Sequence, residues 1–196
     1  ASDECYVELT YDAAGMPAPP VTALVAGDEG VLVVHSLSKR SNMAGIRAGF
    51  VAGDPGLVHY LGEVRKHAGL MLPGPVQAAA AAALADDEHV EVQRARDAAR
   101  RAGALGMLGG GGLVHDGGPA TFYLWARAAA SDEDGWAITE RLARGGMLVA
   151  PGDLYGEGGS GHVRLALVQP ADRIERAFDR VAAMHRAGSA RGGEGT

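Results

Sequence analysis

The chain has 196 residues, 47 % of them hydrophobic, and a formal net charge of −6. That length holds one large domain or two small ones around an ordinary core, and the acidic balance argues against nucleic acid or an anionic membrane as the main partner. A single thiol, Cys5, excludes an internal disulfide and suits a reducing cytosol.

The opening "ASDECYVEL" lacks the basic start and apolar stretch of a signal peptide. It also lacks an initiator methionine and opens as the end of a strand. A piece of a longer protein, or a processed one, is therefore expected. "CYVEL" (5–9) has strand-forming residues, and "YDAAGMPAPPV" breaks into a loop. "VLVV" (31–34) is an apolar run without alternation, as in a strand covered on both faces of a parallel sheet. "GIRAGFVAGD" (45–54) reads as another strand, with Gly45, Gly49 and Gly53 permitting close backbone approach.

The period then changes to helical. In 54–69, Asp54 is the N-cap and Pro55 the first helical residue. The alanine-rich stretch 73–84 predicts a closely packed helix; the longest apolar run, Ala78 to Ala85, is far short of the ~20 residues of a membrane span. Residues 86–102 predict a third helix, in which Asp97 and Arg101 at i,i+4 mark a solvated face. "GALGMLGGGGLVHDGG" (103–118) reads as a loop; no Gly-Lys-Ser/Thr follows to make it a phosphate loop. Beyond it come a strand (120–128), a helix (134–146), strands in "MLVAPGDLYG" and "HVRLALV", and a helix (172–187) with an apolar stripe. The tail 188–196 has almost nothing to bury and is expected to be disordered. Two domains are expected, 1–86 and 87–187.

"HSLSKRSNMAGIRAGF" (35–50) gathers Ser36, Ser38, Lys39 and Arg47 in a short span. Clustered cations imply an anion among them. A lysine amine forms a Schiff base with a carbonyl, and the usual carbonyl cofactor, pyridoxal phosphate, brings a dianion. Arg47 offers it a fork of donors and Ser36 and Ser38 offer hydroxyls. Such a cofactor needs a carboxylate at its ring nitrogen, for which Asp3 in "SDECY" is the candidate. Tyr6, three residues on, is a candidate partner for the ring's phenolic oxygen. Arg164, within the apolar strand "HVRLAL", could grip a substrate carboxylate. The plainer readings are a surface lysine in a polar loop and an arginine on an edge strand.

These segments, in this order, resemble the class I/II aminotransferases, which are fold type I pyridoxal phosphate enzymes. Ser36, Ser38, Lys39, Gly45, Arg47 and Gly49 fill the family's Ser-x-Ser-Lys … Gly-x-Arg-x-Gly pattern. "SDECY" resembles its Asp-x-x-Tyr strand end, "APGDLYG" its Pro-Gly-x-x-(Phe/Tyr)-Gly turn and "HVRLAL" its carboxylate arginine. The resemblance runs from residue 1 to about 186. It implies an α/β fold: the C-terminal part of a mostly parallel-sheet large domain, then an α+β small domain. It implies Lys39 as catalytic residue, pyridoxal phosphate held by Asp3, Tyr6, Ser36, Ser38, Lys39 and Arg47, substrate held by Arg164, and no metal. It also implies amino- and keto-acid substrates and a cytoplasmic homodimer when full length.

"SKRSNMAGIRAGFVAGD", "EVRKHAGLMLPGPVQAAAAAAL" and "RLALVQPADRIERA" narrow the resemblance to actinobacterial succinyldiaminopimelate aminotransferases. That implies amino transfer between glutamate and N-succinyl-2-amino-6-oxopimelate in diaminopimelate and lysine biosynthesis. The alternatives are another class I aminotransferase, for aspartate, aromatic or acetylornithine-like substrates, and a non-catalytic fragment. The family's phosphate loop, ring-stacking aromatic and phenolic-oxygen asparagine have no counterpart in these residues.

Overall fold

The apolar run before "SLSK" becomes the middle strand of a small sheet. In the computed structural model, which describes residues 1–130 and 132–192, β2 (Leu32–Ser36) lies between β1 (Ser2–Asp3) and β3 (Gly49–Gly53). β1 runs parallel to β2, with Asp3 opposite Val34; β3 runs antiparallel, with Val33 opposite Ala52. Only part of β2 is covered within this chain: Val33 is buried and Val34 is 40 % exposed. The expected strand at 5–9 is instead a turn, and the strand stops at Asp3. Amides there fold back locally, Val7 to the Glu4 carbonyl at 3.1 Å and Leu9 to the Tyr6 carbonyl at 2.8 Å, so tight local bonds override strand propensity.

Two of the three glycines singled out in the sequence are needed for β3. A Cβ on Gly53, whose φ is +129°, would lie 2.1 Å from the Val31 carbonyl oxygen, and one on Gly49 2.6 Å from that of His35. Gly45 has open space around it; it belongs to a 3-10 turn, Ala44–Ile46, that precedes the strand. After β3, the Asp54 carboxylate accepts from the amides of Gly56 and Leu57 and starts α2 (Pro55–His67). α3 (Gly74–Leu84) follows, and none of its residues is buried in this chain, contrary to the close packing expected of its alanines.

These elements belong to the first of two compact units, residues 1–12 with 16–95; the second takes 13–15 and the chain from 96 onward. α4 (Glu88–Leu108) runs through that boundary and on into the stretch expected to be a loop, which also supplies β4 (Leu113–His115). The glycines after Leu108 form only a 3-10 turn, Gly109–Gly111. Asp97 and Arg101 are not on a solvated face: they are 6 % and 5 % exposed. Asp97 accepts from Arg100 at 3.1 Å, while Arg101 donates to the carbonyls of Gly118 and Tyr123 at 2.6 and 3.2 Å. A buried guanidinium that satisfies backbone acceptors looks, in sequence, like one more exposed helix charge.

The second unit is a four-stranded antiparallel sheet in the order β4, β5 (Tyr123–Ala128), β7 (His162–Ala166), β6 (Ala150–Pro151). Alternation puts Leu124, Ala126, Val163 and Leu165 on the buried face. α5 (Gly135–Arg144) and α6 (Ala171–Gly192) contribute Ile138, Leu142, Ile174, Phe178 and Val181 to the core. "MLVAPGDLYG" gives only the short β6 and a 3-10 turn, Gly152–Tyr155. α6 continues past the expected end at 187 to Gly192; the rest of the expected tail, 193–196, lies outside the described residues.

Candidate active site

Lys39 sits on a strand-to-helix corner. Ser36 ends β2 and caps α1 (Leu37–Arg40), its Oγ accepting from the Ser38 amide at 3.1 Å. A hydroxyl that accepts in this way keeps its own proton to donate. The corner is pinned on both sides of the lysine. Leu37 is 1 % exposed, and its carbonyl accepts from the amides of Ser41 and Met43. Arg40 is also buried; it bonds Glu8 Oε1 at 3.3 Å, the Ala83 carbonyl at 2.9 Å and the Asp87 carboxylate. Ser38 and Lys39 are left half-buried between these anchors. Arg40 is a residue that sequence reasoning passed over, because an arginine beside a lysine carries no periodic signal.

Three candidate residues meet at the carboxyl ends of the parallel pair β1 and β2, where open α/β sheets place their sites. Lys39 Nζ lies 5.6 Å from the centroid of the Tyr6 ring, within the ~6 Å reach of a cation–π contact. Asp3 ends β1, and its Oδ1 accepts from the Cys5 amide at 3.0 Å. Hydrogen bonds from Cys5, side chain first and backbone second, hold the Asp3 carboxyl below its usual range, so it is ionised at neutral pH. Burial, and then the Asp3 carboxylate, push the Cys5 thiol up to about 11, against the positive charge of Lys39. Arg47 is not drawn into this group: it is exposed at φ +59°, and its Nη1 donates to the Ala44 carbonyl in its own turn at 3.0 Å.

Arg164 belongs to the second unit. Its strand, β7, lies between β5 and β6, so the edge-strand reading is corrected. Its guanidinium carbon is 4.2 Å from the centroid of the Tyr123 ring and 4.6 Å from that of Tyr155, and its Nε is buried without a hydrogen-bond partner. Trp125 meets Tyr155 edge-on at 5.8 Å and stacks on His162 at 5.2 Å. His162 Nε2 is 3.2 Å from Asp116 Oδ2, which also accepts from Arg127 Nε at 2.6 Å. Arg127 first, and His162 second, hold the Asp116 carboxyl below its usual range.

The family model for aminotransferases of class I and II matches residues 1–181. The chain belongs to this family. It is 48 % identical over 180 residues to a probable aminotransferase of Mycobacterium tuberculosis, covering 92 % of this chain and 42 % of the relative. It is 46 % identical over 182 residues to the 4-dedimethylamino-4-oxo-anhydrotetracycline transaminase of Streptomyces rimosus (92 % and 49 %). It is 32 % identical over 183 residues to an LL-diaminopimelate aminotransferase of Nitratidesulfovibrio vulgaris (93 % and 47 %). A Thermus thermophilus aspartate aminotransferase double mutant superposes with a TM-score of 0.80 at 26 % identity, over 93 % of this chain and 47 % of that one. The chain thus spans about half the length of the curated relatives it matches, and its fold is that of the fold type I aminotransferases.

Class I/II aminotransferases use pyridoxal phosphate, and the residues present fit part of that group. The first unit offers an amine on a pinned corner, a hydroxyl with a proton to give, an ionised carboxylate and an aromatic ring beside the amine. Arg47 fits the phosphate by residue type, but its guanidinium is held by its own turn.

Proposed function

We propose that this chain supplies the catalytic lysine and the substrate-carboxylate arginine of a pyridoxal phosphate-dependent aminotransferase. The observation that carries the reading is the grouping of Asp3, Tyr6 and Lys39 at the ends of adjacent parallel strands. When bound, pyridoxal phosphate supplies an electron sink that makes the substrate's α-proton removable. Lys39 Nζ would take that proton from the α-carbon of the amino donor in one half-reaction and would deliver one to the α-carbon of the keto acceptor in the other. Asp3, ionised, holds a proton on the cofactor's ring nitrogen. Tyr6 would donate to its phenolic oxygen, Ser36 and Ser38 would hold its phosphate, and Arg47 would join them on leaving the Ala44 carbonyl that its guanidinium bonds here. Arg164 orients the α-carboxylate that amino donor and keto acceptor share.

For the substrates, the proposal is glutamate and 2-oxoglutarate on one side and N-succinyl-2-amino-6-oxopimelate on the other, in lysine biosynthesis, with the whole protein a cytoplasmic homodimer. What supports it is the set of segments that resemble succinyldiaminopimelate aminotransferases, and relatives named for diaminopimelate. A second reading, a ketone on a polycyclic acceptor, is favoured by the 46 % identical relative named as a 4-dedimethylamino-4-oxo-anhydrotetracycline transaminase.

The test uses the whole protein that carries this chain. With pyridoxal phosphate it should show a visible absorption band, and borohydride should leave the label on Lys39; a label on Lys66 instead overturns the assignment. Glutamate-dependent amination should be fastest on N-succinyl-2-amino-6-oxopimelate. Preference for oxaloacetate, an aromatic keto acid or a polycyclic ketone replaces the substrate and leaves the chemistry intact.

A further inference from the structure

Arg164 is held in a way that carboxylate binding alone does not require. Tyr123 and Trp125 are on the same face of β5, and Trp125 is the cross-strand partner of Arg164 on β7. From the 3-10 turn after β6, Tyr155 brings a second ring to the same guanidinium. The guanidinium therefore lies over two aromatic rings, 4.2 and 4.6 Å from their centroids. Among the described residues no carboxylate pairs with it, although Asp116 lies on the same unit and is taken up by Arg127 and His162. Its Nε is buried and has no acceptor. Buried donors are nearly always satisfied, so Nε is open to an acceptor that comes from outside these residues.

We propose that Tyr123 and Tyr155 are positioning residues that hold Arg164 flat and uncommitted for the substrate carboxylate, which takes Nε and a terminal nitrogen side-on. This rests on the reading of Arg164 given above. A free arginine samples many rotamers and loses that freedom when it binds. Two ring faces remove most of that freedom in advance, while leaving the guanidinium charge unneutralised. The support extends one layer further. Trp125 braces the edge of Tyr155, His162 stacks beneath Trp125, and Asp116 fixes His162. The acid on this face is thereby kept occupied away from Arg164.

The experiment is steady-state kinetics of the whole, cofactor-loaded protein with 2-oxoglutarate, and of its half-reaction with glutamate. Tyr155→Ala and Tyr123→Ala should each raise KM about 2- to 30-fold, the range a cation–π contact spans, with kcat within about threefold. Tyr155→Phe and Tyr123→Phe keep the ring face and should retain the parent KM. If an alanine variant fails to melt cooperatively, Tyr155→Leu or Tyr123→Leu, which fill the space without a π face, should show the same rise. Unchanged KM in the alanine and leucine variants, beside a large rise in Arg164→Ala, overturns the clamp and leaves the carboxylate role standing. Phenylalanine variants as weak as alanine ones also overturn it, by assigning the effect to the hydroxyls. Unchanged KM in Arg164→Ala sinks the carboxylate reading, and the clamp with it.

Discussion

At the scale of single residues, ionisation is set by a few neighbours. Asp3 is kept ionised by donors from Cys5. Asp3→Asn keeps the shape but loses the charge at the cofactor nitrogen, so cofactor should stay bound while turnover falls by about 10²–10⁴. Near-parent kcat in that variant would remove Asp3 from the proposed role. Cys5 shares the site, and its thiol is pushed up to about 11. At pH 8 it holds far less thiolate than a free cysteine with a pKa of ~8.5. Alkylation by iodoacetamide, followed by mass spectrometry, should be much slower than for glutathione; equal rates would contradict the shift. Glu4 shows the balance most clearly. Burial works to raise its carboxyl, but the Ala23 amide at 2.7 Å and the hydroxyls of Thr22 and Ser2 outweigh burial and hold it below its usual range. Its folded pKa is thus below the unfolded value of ~4.3. The stability it adds is present above the unfolded value and lost as pH falls through the folded one. Glu4→Gln should cost about 1–2 kcal/mol at pH 7 and flatten the acid limb of the stability curve, read by denaturant melts from pH 7 to 3.

At the scale of elements, the corner at Lys39 depends on β3 and on Arg40. Gly53→Ala places a methyl against the Val31 carbonyl at a left-handed φ, and the backbone strain alone costs about 1–3 kcal/mol. A melt unchanged from the parent would show that the strand ends elsewhere. Arg40→Ala leaves Glu8 without its buried partner and should cost about 3 kcal/mol; it should also lower kcat, because α1 carries Lys39. The elements that could be read from sequence were those with a local cause. Asp54 and Pro55 announce α2, and the alternation in β7 puts Arg164 and His162 opposite Val163 and Leu165. The elements misread were those decided by distant partners. "CYVEL" has strand-forming side chains but turns through its own amides, and "GALGML" continues a helix despite two glycines because Ala104 and Leu108 are buried in the core. The site shows the same split. Lys39, Ser36 and Ser38 share one motif, whereas the rings around Arg164 come from residues 123 and 155, which no spacing rule connects.

At the scale of the molecule, the two units differ in how well they cover themselves. The first leaves Phe50, Leu57, Tyr60, Val64, Leu70 and Met71 substantially exposed, and its sheet has only three strands. The second closes its core, with Leu124, Ile138, Leu142 and Val163 fully buried. Limited proteolysis of the 196-residue chain expressed alone should therefore remove the first unit and leave a protected core within 96–192. A uniformly resistant chain that melts in one step and binds pyridoxal phosphate tightly would contradict this. No helix among the described residues is long and apolar enough to cross a membrane.

The anchors on either side of Lys39 have a kinetic meaning. Leu37 and Arg40 anchor the chain on both sides of the lysine, so displacement of its amine is expected to come chiefly from rotation about its own methylene bonds. Such rotations take picoseconds to nanoseconds, whereas loop and lid motions take microseconds or longer. If Lys39 is the proton-carrying residue proposed above, rotation of its amine would not limit turnover, and the limit would fall on the proton transfer itself, on closure or on product release.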